Sequence, residues 1–337
     1  MQTQLQGIPA ARPPLRIDRR YLPIAVTIGL FVLAYIIAAL RYRGLGTVQV
    51  FNNLLIDNAF LIVSAVGMTV VILSGGIDLS VASVIAFTAM ASAALLERTS
   101  LSPLAVIPLM LLSGTLFGAA MGALIQYFKI PPFVATLAGM FLARGACFLI
   151  GVDAIPITNE FYRAVAQYQI YLTARDFISL NVVIALLVLA LGVYLLHFTR
   201  FGRTVYAIGG NEQSALLMGL PVGRTKVLIY AFNGLCSALA GVVYSFYMLS
   251  GHGLYANGFE LDIIAAVVIG GTPLSGGVGY VFGTLFGVLT QGLIQVVIIF
   301  DGTLNSWWTR IVVGALTLFF IGMQRFLSAR GRPGDRP

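Results

Sequence analysis

Ten apolar stretches follow one another along this chain of 337 residues, at 22–40, 59–73, 81–96, 104–128, 133–152, 177–198, 227–249, 262–274, 281–300 and 308–323. Most are long enough to cross a bilayer core, which takes about 20 helical residues. Within hydrocarbon every backbone N–H and C=O must be paired inside the chain, and helices do that without a partner strand. The expected fold class is therefore all-α, a polytopic membrane helical bundle of about ten transmembrane helices. Composition agrees: 59% of residues are hydrophobic, 9% are charged and the mean hydropathy is +0.95, far from a soluble domain. The first stretch follows Arg12, Arg16, Arg19 and Arg20 as a signal-peptide core would. It is longer than most such cores and runs into RYRGLG, not a small-residue cleavage site, so it reads as a retained helix.

The net charge of +8 could suggest nucleic acid, but the basic residues sit at the ends of apolar runs, which is how topology is encoded. Thirteen lysines and arginines fall on one side of a ten-span arrangement and six on the other. Both termini are expected in the cytoplasm. The division that follows is a basic tail at 1–21, a transmembrane domain at 22–325 holding a polar cytoplasmic loop at 199–226, and a second basic tail at 326–337. Cys147 and Cys236 lie in apolar runs without CxxC or histidine spacing, and read as buried free thiols.

The halves are related. Residues 114–126 read GTLFGAAMGALIQ and 283–295 read GTLFGVLTQGLIQ, with eight identities in thirteen positions at an offset of 169. These are the fourth and ninth stretches, so they cross in opposite directions, as an inverted repeat requires. Gly114, Gly118 and Gly122, and likewise Gly279, Gly283 and Gly287, recur every fourth position and would line one helix face for close packing.

Two interruptions are more informative. SGGIDLS at 74–80 separates short spans, and GTPLSGGVG at 271–279 interrupts the second half. A broken helix exposes backbone groups that must face protein, water or a polar ligand, although glycine and proline also mark plain hairpins. Asp78 is the one acid deep in the first-half spans. It is a candidate for an ion pair with Arg144, a helix cap or a substrate contact.

The loop at 199–226 has another character. Asn211 can cap a short helix over 212–218 that turns Ala215, Leu216 and Met218 toward an apolar partner, with Gly219 and Pro221 stopping it. Such a helix docks on a protein or lies on headgroups beside Arg200, Arg203, Arg224 and Lys226.

The segments DNAFLIVSAVGMTVVILSGGIDLSV (57–81), IPPFVATLAGMFLARG (130–145), RFGRTVYAIGGNEQSALLMGL (200–220) and ELDIIAAVVIGGTPLSGGVG (260–279) resemble the ribose, xylose and arabinose permease family of bacterial ABC importers. FDGTLNSWWTRI (300–311) and the second copy of the repeat look most like a permease of the galactofuranose importer. The resemblance implies a multi-pass permease subunit of the bacterial inner membrane, importing a monosaccharide such as galactofuranose. Its implied partners are a cytoplasmic ABC ATPase, a second permease subunit as hetero- or homodimer, a periplasmic sugar-binding protein and membrane lipid, with no nucleic acid. By motif, Arg200, Arg203, Asn211, Glu212, Ala215 and Gly219 correspond to the loop that couples to the ATPase.

No GxxxxGK[ST] phosphate loop occurs, so no cofactor is expected in this chain, and ATP and Mg belong to the ATPase. No catalytic or metal residue is expected either: His197 and His252 lie apart, read as solvated interface residues, without a nucleophile–base pair or HExxH. An ion-coupled secondary transporter is the alternative, but it would bury more acids than Asp78. A neutral sugar calls for aromatic faces and neutral hydrogen-bonding groups. Ser74, Asp78, Phe87, Phe141, Asn233 and Tyr244 are the candidate pathway residues.

Overall fold

A computed structural model describes residues 22–303, 305 and 307–329. The tail at 1–21 and residues 330–337 lie outside the described residues. The helices are α1 (Leu22–Arg41), α2 (Val48–Asp57), α3 (Ala59–Leu73), α4 (Val81–Arg98), α5 (Pro103–Tyr127), α6 (Pro132–Ile150) and α7 (Glu160–Gln167). They continue with α8 (Leu180–Phe198), α9 (Arg200–Gly210), α10 (Glu212–Leu217), α11 (Val222–Met248), α12 (Phe259–Ile269), α13 (Val281–Asp301) and α14 (Trp307–Ala329). Four short strands complete the described residues: β1 (Ile155–Pro156) pairs antiparallel with β4 (Ser250–Gly251), and β2 (Gln169–Tyr171) with β3 (Phe177–Ser179).

Each apolar stretch of the sequence contains one helix, and local chemistry sets the ends. Pro103 and Pro132 open α5 and α6, where a missing N–H costs nothing. Thr47 caps α2 by accepting from the Val50 N–H, and Gly302 at φ +67° closes α13. Among the described residues seven helices, α1, α4, α5, α6, α8, α11 and α13, are long and apolar enough to cross a membrane. An eighth span arises if α2 and α3, bent by 56° at Asn58, are counted as one. The chain is an all-α polytopic membrane protein.

Some boundaries differ from those expected. The helix in the 262–274 stretch stops at Ile269, because Gly270–Thr272 turns out of it. The stretch at 177–198 begins as β3 before α8. No structural boundary falls at 325, since α14 continues to Ala329.

Burial sorts the helices into two layers. Nearly every residue of α3 is buried, and α4 and α11 are buried over most of their length. By contrast α1, α5, α6 and α8 present wide apolar faces, as lipid-facing helices do. The glycine stripe of α5 explains the closest helix pair. A Cβ on Gly114 would come within 2.5 Å of the Ala238 Cβ, and one on Gly118 would collide with the Tyr230 carbonyl, so α5 and α11 touch backbone to backbone. On α13, Gly283 and Gly287 meet the Gly270 and Ala266 carbonyls of α12 in the same antiparallel manner. Gly279 was expected on that face but precedes the helix, at φ +145° against Thr272.

Candidate functional site: two helix breaks under a cytoplasmic-type loop

The first break lies between α3 and α4. Ser74 ends α3, its hydroxyl donating to the Val71 carbonyl at 2.7 Å. Gly75 follows at φ +79°, a left-handed turn that the missing Cβ allows. Asp78 is then folded inward and is 2% exposed. Its Oδ1 accepts the Ser80 N–H (2.8 Å) and hydroxyl (2.6 Å), and its Oδ2 accepts the Asn233 side-chain amide (2.8 Å). The Tyr230 hydroxyl donates to the neighbouring Ile77 carbonyl at 3.4 Å. Asp78 therefore closes a turn just ahead of α4, whose N-cap residue is Ser80, and ties that turn to α11.

The expected pair with Arg144 does not form. The rotational phase of α6 turns that guanidinium to the Gly253 and Tyr255 carbonyls, at 2.6 and 2.7 Å. There it pins the loop after α11 instead. Both histidines, expected to be solvated, are half-buried against tyrosine rings: His197 against Tyr206 and Tyr280, His252 against Tyr255.

The second break runs from Gly270 to Tyr280, and it touches the first. The Gly277 N–H donates to the Leu73 carbonyl at 2.9 Å, satisfying a group that the end of α3 leaves open. A Cβ on Gly276 would lie 2.7 Å from the Gly75 nitrogen. The two glycine-rich segments thus form one backbone-to-backbone contact where hydrocarbon could satisfy neither. Each break faces the other, and both face α9.

The loop at 199–226 is two helices and the first turn of α11. Asn211 caps α10 by accepting from the Ser214 N–H (2.8 Å), as expected from sequence, and Thr199 caps α9, a helix that was not expected, by accepting from the Gly202 N–H (3.3 Å). Glu212 and Lys226 form an ion pair at 2.7 Å that ties α10 to α11. Gly219, at φ +75° with open space around it, stops the helix. Arg200 and Arg203 are exposed on α9. Ala215 departs from expectation: it is fully buried, packed with Ile208 and Val222, because one side of so short a helix must close on its own chain. Leu216, Leu217 and Met218 are instead exposed at 54%, 89% and 67%. These three form the outward knob.

The candidate pathway residues do not converge on one cavity. Asp78 and Asn233 are in contact, with Ser74 at the edge of the same break. Tyr244 lies toward the other end of α11, edge-on to Phe60 (4.7 Å) and Tyr255 (5.7 Å). Phe87 borders a small apolar crevice of about 140 Å³ between α4, α5 and α6. Phe141 is 65% exposed on the outer side of α6. Sequence reasoning overlooked Gly209, where a Cβ would collide with the Leu73 carbonyl, and Tyr206, whose hydroxyl donates to the Gly279 carbonyl at 2.7 Å. The GG pair at 209–210, ahead of a capped helix, was the available signal.

Residues 50–321 match the family described as branched-chain amino acid transport system / permease component. The chain is 50% identical to the inner membrane ABC transporter permease protein YjfF of Escherichia coli over 92% of this chain and 94% of that one. It is 38% identical to the fructose import permease protein FruG of Bifidobacterium longum, covering 98% and 97%, and 39% identical to the ribose import permease protein RbsC of Bacillus subtilis, covering 90% and 92%. No solved structure matches the chain. With the match running through both breaks and the loop between them, the chain belongs to the family of ABC-transporter permease components, and it carries the membrane part without an ATPase domain.

Proposed function

We propose that the chain is the permease subunit of a binding-protein-dependent importer that moves a monosaccharide across the bacterial inner membrane. The observation that carries this reading is α10: a short capped helix, braced from behind by Ala215 and the Glu212–Lys226 pair, presenting Leu216, Leu217 and Met218 outward. An exposed apolar knob on a rigid base suits the cleft of a partner ATPase, which binds the ATP and Mg. The names of the fructose and ribose permeases support a sugar as cargo. Galactofuranose is the narrower reading and rests on the likeness at 300–311 alone.

In this reading the chain crosses ten times with both termini in the cytoplasm. Its support is the relative direction of two rods: Gly271 of the second break meets Pro23 at the start of α1, and Tyr42, just past α1, bonds Asp301 at the end of α13, so α1 and α13 run the same way, as the first and ninth of ten crossings must. The inverted repeat draws support from its two copies, each of which uses its glycines against an antiparallel neighbour. A second permease completes the path, and Phe141 borders that path only where the exposed side of α6 meets it. Asp78 and Asn233 hold the closed inner end. ATP binding then moves α10, and the halves rock to release the sugar inward.

The test is uptake into proteoliposomes holding the chain, its ATPase and second permease, with the binding protein and a panel of labelled pentoses and hexoses including galactofuranose. ATP-dependent uptake of one sugar, lost in Leu217→Arg together with ATPase co-purification, is expected. Uptake by the chain alone, driven by an ion gradient, refutes the reading.

A further inference from the structure

We propose that α9 is the transmission element between the docking helix and the two helix breaks, with Gly209 as its positioning residue. The proposal rests on the reading that α10 docks on an ATPase. Three contacts on separate residues carry it. Ile208 of α9 packs against Ala215 of α10 and Val222 of α11, so α10 cannot shift without taking α9 along. Gly209, the next residue, meets the Leu73 carbonyl at the end of α3 and comes, by its Cβ position, within 2.5 Å of the Gly277 nitrogen in the second break. The Tyr206 hydroxyl, one turn back, holds the Gly279 carbonyl at 2.7 Å.

The arrangement differs from ordinary helix packing. At Gly209 the helix meets backbone atoms of both breaks at once, where the Gly277 N–H already bonds the Leu73 carbonyl. No side chain lies between them to absorb motion. A displacement of α9 is therefore delivered to the points where α3 and α12 lose their helical ladders. Those points bend most readily, because left-handed glycines at 75, 271, 276 and 277 carry the turns.

The test reads the second break directly and uses no sugar. Ser275 is exposed within it, and Cys147 and Cys236 are buried, so Ser275→Cys supplies one reactive thiol. In the assembled complex with its ATPase, maleimide labelling of that cysteine is expected to change by about fivefold between the nucleotide-free and ATP–vanadate states, the lower end of allosteric coupling. Adding Gly209→Ala, whose methyl pushes α9 off both breaks, should abolish the change while the ATPase still co-purifies. Gly210→Ala, with nothing within 4 Å, should leave it intact. Should Gly209→Ala not assemble, Tyr206→Phe removes one hydroxyl and should diminish the change in the same direction.

A change that persists undiminished in Gly209→Ala, or in Tyr206→Phe where that is the variant read, overturns the proposal. So does a Ser275→Cys thiol indifferent to nucleotide in the native background. A native chain that retains no ATPase removes the docking reading and the relay together. Retention of the ATPase with a Gly209-independent response removes the relay alone.

Discussion

The two breaks meet at one point yet are built on opposite principles. The first, at 74–80, is held by side chains: one buried carboxylate takes three hydrogen bonds, two from Ser80 and one from Asn233, and joins the start of α4 to α11. The second, at 270–280, has no charge and four glycines at positive φ, with Leu274, Ser275 and Val278 exposed. It is fastened from outside by Tyr206 and by the Leu73 carbonyl. Buried, satisfied polar groups specify one geometry, whereas glycine turns accept several. The first break is thus the more firmly specified of the two, and the second the one whose turns admit other geometries.

The comparison can be broken at its strongest point. Asp78→Leu leaves the Asn233 amide and both Ser80 donors buried without a partner, at about 1–3 kcal/mol for each buried group. A large drop in melting temperature and in recoverable protein is expected, and an unchanged melt would show that the carboxylate holds nothing.

Next comes the second break. Gly277→Ala puts a methyl in left-handed geometry at a cost of roughly 1–2 kcal/mol, against the backbone of Gly210 at 3.0 Å. Uptake should fall while the permease still assembles with its ATPase. Destabilisation as deep as that of Asp78→Leu would mean that both breaks are equally firmly specified.

Asp78→Asn separates charge from hydrogen bonding. The introduced amide would meet the Asn233 amide donor to donor, so Asn233 must flip to present its Oδ1, which is buried without a partner, while Ser80 still donates to the side-chain oxygen that remains at position 78. Stability should stay within about 1 kcal/mol of the native chain, and any loss of uptake beyond that reports the charge itself. The smallest effect is expected from Tyr230→Phe. Its bond to the Ile77 carbonyl is long, at 3.4 Å, so a change of about 0.5 kcal/mol in denaturant titration is the expectation.

The positions of the helices were legible because hydrocarbon imposes a demand that every segment must answer within itself: about 20 apolar residues with internal hydrogen bonds. The cap at Asn211 and the stop at Gly219 were legible, since their chemistry spans three or four residues; the Thr199 cap has the same local character and was overlooked. Loop strands such as β1 and β4 were not, as their pairing joins Ile155 to Gly251, 96 positions away.

Sequence by itself determined that this is a membrane bundle with one polar loop, two glycine breaks and one acid deep in its first-half spans, and that its motifs are those of an ABC permease. Only the tertiary structure decided what those features touch. Asp78 pairs with Asn233, 155 positions away, and not with Arg144; Ala215 faces inward while Leu217 faces out; Gly209 lies against both breaks. The physical reason is rotational phase. Apolar periodicity is weak in helices that are apolar on every side, so the sequence marks where each rod runs but not which way its few polar and small residues turn. Packing settles that, through close contacts in which a single methyl group would not fit.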